Sequence, residues 1–276
     1  MIETYFQYQA KLAETESFLE CPEDCSAPGC WMGDVIVEVS LFDLIRLGQA
    51  LNTAVSAFFF NHCYLGLQTC ELNPRYHRLI IKLKKPCDFL QKSRCAVHGS
   101  KPLNCVLFPE YHQIIGHWPK LAENRIFRSF PCIKKEIIIS DQRGRALKNL
   151  GKISSRQEAC SYDFLFGLPA FIVDAKPFSR QLQQAYRKDR ALTVKDYEKL
   201  LDKKLKSTGF LDIVVAKIAQ LDTRKSMENL IEKVQDDALM EPLLAQKDLP
   251  EVVHCIKGDN FKRLKRKVRQ PEVVFM

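Results

Sequence analysis

The pattern of apolar and polar positions changes character near residue 160. Residues 1–20 set apolar side chains on one helical face, which predicts an amphipathic helix leading into the first cysteines. Residues 34–39 (DVIVEV) alternate in part and predict a strand. Ser40 then precedes LFDLIRLGQAL, with Asp43 three residues on, a capping box with a shorter acid than usual. A second helix is predicted over 55–67. Residues 78–83 (RLIIKL) read as a strand ending at Pro86. Residues 87–109 carry Pro, Gly, Asn and Ser with no regular period and read as loop. Residues 133–140 (IKKEIIIS) give a further strand. Past residue 160, apolar positions three and four apart predict helices over 186–205 and 211–234.

With 276 residues and 46% hydrophobic positions, the chain can bury a sizeable core without disulfides. No apolar stretch of signal-peptide length lies in the first twenty residues. The most apolar runs, 54–67 and 164–173, are both interrupted and fall short of the roughly 18 residues of a membrane span. No membrane partner is expected, and the chain reads as cytoplasmic. In a reducing cytosol, abundant cysteine favours metal ligation or redox chemistry over disulfides.

The net charge is +9, and residues 257–270 supply most of it, with seven Lys/Arg against one Asp. The basic character is therefore local to a C-terminal tail. That tail offers a protein or polyanion partner a docking segment, although with few aromatic residues for base stacking. There is no Gly-x-Gly-x-x-Gly, Walker loop or His-Glu-x-x-His, so neither a nucleotide, a flavin nor a zinc hydrolase is indicated.

Of 11 cysteines, ten lie before residue 161. Cys21, Cys25 and Cys30 fall within ten residues, with Pro and Gly between them to turn the backbone so that sulfurs converge. Cys87, Cys95 and Cys105 form a second group, and Cys132 follows a Pro-containing turn. These seven are the candidate metal ligands, since thiolates are soft donors for zinc and iron–sulfur clusters. Cys132 is equally readable as a small buried hydrophobe. Cys63, at the end of an aromatic run, reads as core, and Cys70 as an alternative ligand. Cys160 and Cys255 have no neighbours in sequence and are not expected to ligate. His98, His112 and His117 lie near the second group, and one of them would complete a Cys3His site.

The elements Pro86-Cys87-Asp88-Phe89-Leu90, Arg94-Cys95-Ala96-Val97-His98 and Lys101-Pro102-Leu103-Asn104-Cys105-Val106-Leu107-Phe108-Pro109 resemble the YkgJ-type cysteine-cluster family, a zinc- or iron-chelating domain. The likeness covers residues 21–132 and includes Asp43-Leu44-Ile45-Arg46-Leu47 between the two cysteine groups. Trp31 stands where the family has a second cysteine. Lys101 replaces an Arg, Val106 stands where an Arg follows the last cysteine, and His98 stands near a usual Tyr. The resemblance implies a metal-binding frame and extends loosely to flagellin lysine-N-methylases. The expected fold class is α+β: an irregular, cysteine-rich, metal-stapled domain over 1–160 and a mainly α-helical extension over 161–276. The expected function is an iron–sulfur (or zinc) centre supporting a redox or protein-modifying activity, the alternative being a non-catalytic zinc-stapled module whose helical half engages a protein or nucleic acid. Whether the chain is an enzyme stays open at this point.

Overall fold

The computed structural model describes residues 1–16, 25–70, 75–134, 138–174, 176–185, 192–248, 252–257 and 260–265. The chain runs through helices α1 (Ile2–Glu14), α2 (Pro28–Trp31), α3 (Leu41–Ala50) and α4 (Val55–His62), then strands β1 (Cys63–Thr69) and β2 (Tyr76–Leu83). A small hairpin, β3 (Leu90–Gln91) and β4 (Arg94–Cys95), precedes helices α5 (Leu103–Leu107), α6 (Glu110–Ile114), α7 (Trp118–Glu123), α8 (Pro131–Lys134) and α9 (Asp141–Phe166). Strand β5 (Ile172–Asp174) leads to helices α10 (Lys176–Ala185), α11 (Val194–Ser207), α12 (Phe210–Gln220), α13 (Arg224–Gln235) and α14 (Asp237–Asp248), and strands β6 (Val252–Lys257) and β7 (Asn260–Lys265) follow. The class is α+β.

The chain forms two compact units. The first comprises Met1–Cys63 and Leu83–Gln157, and the second Tyr64–Lys82 and the chain from Glu158 onward. The second unit thus takes in β1 and most of β2, which lie between the two cysteine groups of the sequence.

In the first unit, α1 buries Ile2, Tyr5, Phe6 and Gln9, a one-sided stripe at helical spacing. The capping box of α3 is present as the sequence predicts. Ser40 Oγ accepts from the Asp43 amide (3.1 Å) and Asp43 Oδ2 accepts from the Ser40 amide (2.9 Å). Leu41, Phe42, Leu44, Ile45 and Leu47 of α3 are wholly buried. At roughly 1.5–3 kcal/mol per side chain, this helix alone contributes on the order of 10 kcal/mol of apolar burial. Leu147 and Leu150 of α9 pack with Leu103, Val106 and Leu107 of α5. The backbone of α9 approaches Tyr111 so closely that a Cβ on Gly151 would lie 2.3 Å from the phenol oxygen. Arg143, also on α9, is 2% exposed; its Nε donates to Glu110 Oε1 (3.1 Å) and its Nη1 to the Ala13 and Thr15 carbonyls (2.8 and 3.2 Å).

The second unit is built on a five-stranded sheet in the order β1-β2-β5-β6-β7. Strands β2 and β5 pair antiparallel (Arg78 opposite Ile172), β5 and β6 parallel, and β6 and β7 antiparallel. Every residue of β2 is buried, including His77, Arg78 and Lys82. The charges are compensated: Lys82 pairs with Glu198, and the Glu158 carboxylate is held by both Arg78 and Lys247. A Cβ on Gly66 of β1 would lie 2.6 Å from Lys82 Cδ, so a larger residue there would have to displace the Lys82 side chain.

Several sequence expectations are corrected. Asp34 and Val35 lie in a turn and a bend, and the stretch to Val39 carries only an isolated bridge at Glu38. The Leu83 amide donates to the Val37 carbonyl (3.0 Å) and Asn104 Nδ2 to the Glu38 carbonyl (2.8 Å), so the segment is stitched singly rather than laddered. The predicted helix over 55–67 ends at His62, and CYLGLQT becomes β1. No strand forms in the described part of 133–140: Ile133 and Lys134 close α8, and Ser140 Oγ accepts from the Arg143 amide (3.1 Å), starting α9. The helix over 211–234 breaks at residues 221–223, where Thr223 Oγ1 caps α13 by accepting from the Ser226 amide (3.4 Å). The early part of the helix predicted over 186–205 lies outside the described residues, as do residues 266–276. Within the stretch expected to be a helical extension with a basic tail, residues 252–257 and 260–265 form strands β6 and β7 of the second unit's sheet.

Candidate metal centre

Four backbone segments of the first unit carry Cys30, Cys87, Cys95 and Cys105. Ala27 adopts a left-handed conformation (φ 51°), which turns the chain into the single turn α2 and sets Cys30 with its amide on the Ala27 carbonyl (2.8 Å). The Trp31 indole donates to the Ser26 carbonyl (3.1 Å) and pins the same turn. The segment leaving β2 runs alongside. Lys85 Nζ donates to the Gly29 carbonyl, and the Cys87 amide donates to the Cys30 carbonyl at 2.7 Å.

The hairpin then returns Cys95 beside Cys87. The Leu90 amide donates to the Cys87 carbonyl (3.0 Å), Leu90 pairs with Cys95, and the Ala96 amide donates to the Phe89 carbonyl (2.8 Å). Its two-residue turn, Lys92-Ser93, has both φ angles positive (46° and 65°), as a tight hairpin demands, although neither residue is glycine. Cys105 arrives on α5. Asp43 Oδ1 accepts from the Leu103 amide (2.9 Å), and Asn104 bonds the Glu38 carbonyl, so the N-terminus of α3 fixes the turn that carries Cys105.

The Cys105 sulfur feels Cys30, Cys87, Lys85 and Lys101. Burial pushes its thiol up to about 12, Lys85 opposes the rise, Cys30 adds to it, Lys101 opposes it, and Cys87 adds to it. Burial also raises the Cys87 thiol, against the Phe89 amide, which bonds its sulfur, and Lys85; Cys95 and Asp88 add to the rise. Thiols raised in this way are poor free nucleophiles. A cation bound among them would deprotonate them outright.

Cys30 and Cys87 are joined through their backbones, and Cys105 and Cys95 lie within electrostatic reach of Cys87 in the first unit. Cys25 is buried in the same unit, and Cys21 lies outside the described residues. Cys132 instead packs against the apolar cluster of Val35, Leu121, Phe127, Phe130 and Ile133. Cys70 belongs to the second unit, buried with Tyr76, Ala170 and Ile172, and Cys160 is wholly buried on α9. No disulfide joins the described cysteines, and among the described residues no three Cys, His, Asp or Glu side chains are grouped closely enough to hold a metal ion.

Of the histidines, His98 is exposed and held below its ordinary value by Lys101 and by partial burial. His112 is buried; burial and then His117 depress it to about 4.

Cys63 is a buried core residue, as the sequence reading has it. Its buried thiol is strongly raised by desolvation and feels Lys84, Asp43 and Cys87, and the apolar run that hides it reads as uninterrupted helix. Sequence reasoning gave no role to Lys85. Asp43 and Arg46, three apart within an otherwise apolar helix, are the signal that something polar is served there. No family model, no curated protein and no solved structure matches this chain, so the functional reading rests on these residues.

Proposed function

We propose that the first unit is a thiolate metal centre that holds an iron–sulfur cluster or zinc. Cys30, Cys87 and Cys105 form its middle, and Cys21, Cys25 and Cys95 complete the donor set. The observation that carries this is the 2.7 Å hydrogen bond from the Cys87 amide to the Cys30 carbonyl, which joins the two cysteine groups directly. An all-thiolate set suits either metal by softness. The family-like spacing over residues 21–132 supports the same reading.

A bound metal would supply the positive charge that turns these buried thiols into thiolates, and would thereby contribute folding free energy. The chain's own residues tune that charge. Lys85 and Lys101 offset the thiolates near Cys105, and the Phe89 amide bonds the Cys87 sulfur, as outer partners of metal ligands commonly do.

Anaerobic purification with metal and acid-labile sulfide analysis tests the proposal. A brown protein with iron and sulfide identifies a cluster. A colourless protein with stoichiometric zinc identifies a structural staple. A metal-free protein that folds fully would overturn both.

A further inference from the structure

In the first unit a cavity of about 150 Å³ is lined by Arg46, His98, Lys101, Glu14, Glu110 and Arg143, together with small and apolar side chains. We propose that this cavity binds a small oxyanion, a carboxylate or phosphoryl group, against Arg46 and Lys101. The proposal is independent of whether the cysteines hold a metal.

The Arg46 side chain is 9% exposed, and guanidinium stays charged in proteins. One Nη2 bond goes to the Lys101 carbonyl, while the buried Nε has no hydrogen-bond partner. Its nearest counter-charge, Asp43 Oδ1 at 3.5 Å, is already engaged. Asp43 accepts from the Ser40 amide and hydroxyl (both 2.9 Å) and from the Leu103 amide (2.9 Å). A buried cation with an unmet donor costs free energy unless an acceptor reaches it.

The other charges on the cavity leave a positive balance at this end. Glu110 is neutralised by the bidentate pair with Arg143. Glu14 is exposed and has solvent to screen it. Lys101 faces the cavity with no paired carboxylate among those lining it, and its charge holds the His98 ring below its ordinary value. A neutral imidazole there adds a hydrogen-bond donor without adding charge. The volume is about half the lower end of drug-sized pockets, roughly 300 Å³, so the ligand is small or only its anionic end is enclosed. Planar guanidinium beside an ammonium suits carboxylate and phosphate alike.

The test is calorimetric titration of the full-length protein with inorganic phosphate, with acetate, and with chloride as a control for charge alone, at constant ionic strength. Phosphate or acetate should bind at least about tenfold more tightly than chloride, and Lys101→Gln should weaken that binding about tenfold, as loss of one charge-assisted bond does. A preference for phosphate assigns a phosphoryl ligand, and a preference for acetate assigns a carboxylate; either supports the site. Arg46→Gln should abolish binding if its tryptophan emission shows a folded first unit. Lys101→Gln, which keeps the backbone carbonyl that Arg46 uses, carries the test if Arg46→Gln does not fold. Binding no tighter than chloride, or binding undiminished in Lys101→Gln, would overturn the proposal.

Discussion

Asp43 is the residue whose removal should most clearly separate local from long-range stabilisation. Ser40→Ala removes only the hydroxyl half of the capping box, a loss of about 1 kcal/mol for a typical cap. Asp43→Ala removes the other half and more. It strands the Leu103 amide, a buried donor worth about 1–3 kcal/mol when unsatisfied. It also takes the Asp43 counter-charge, 3.5 Å from the 9%-exposed Arg46 side chain, and breaking a buried ion pair costs about 3–5 kcal/mol. The terms overlap, and the 3.5 Å separation puts the ion-pair term at its lower end, so a total of about 4 kcal/mol is expected for Asp43→Ala against about 1 for Ser40→Ala. The assay is urea unfolding followed by tryptophan emission. Both tryptophans, Trp31 and Trp118, belong to the first unit, so the signal reports that unit. An Asp43→Ala protein no less stable than Ser40→Ala would refute the idea that Asp43 ties α3 to the turn carrying Cys105.

Gly151→Ala should destabilise the first unit although alanine favours helix by about 1 kcal/mol, because the new Cβ would meet Tyr111 at 2.3 Å; Tyr111→Ala should suppress the defect in a thermal melt of the double variant. Stability of the first unit should fall as pH drops from about 6.5 to about 4: His112 is depressed when folded, the unfolded chain takes up the proton first, and protonation therefore favours unfolding. His112→Gln should flatten that slope in melts monitored by tryptophan emission. Deleting 252–276 should lower the melting temperature of the second unit, since it strips the parallel partner from Ile172 and Val173 of β5; an unchanged melt by far-ultraviolet circular dichroism would show that β6 contributes nothing.

What was legible in the sequence is what local chemistry determines. The Ser40/Asp43 box, the α1 stripe and the core of β2 follow from spacing and side-chain type. The errors share a cause, since each depends on a partner distant in sequence. DVIVEV has a strand's alternation but meets single donors, the last residue of β2 and the Asn104 side chain, instead of a full ladder. Cys63 falls inside the helix predicted over 55–67 because nothing nearby signals that β1 will begin there. The cysteine groups were visible as groups. That Cys30 and Cys87 share a hydrogen bond was not, because a chain excursion through the second unit separates them. Cys132, which follows a Pro-containing turn in the sequence, packs against an apolar cluster built from residues on either side of it.

The central claim is that the two cysteine groups hold one metal centre, and metal content per chain in matched variants tests it most directly. The full-length protein is purified anaerobically alongside Cys30→Ser, Cys87→Ser and Cys105→Ser, with Cys70→Ser from the second unit as the control, and each is assayed for iron, zinc and sulfide. The account predicts that each of the three first-unit substitutions lowers bound metal and the melting temperature together, while Cys70→Ser leaves metal content at the parent value. Full metal content in Cys30→Ser, Cys87→Ser and Cys105→Ser, or loss of metal in Cys70→Ser alone, would contradict it.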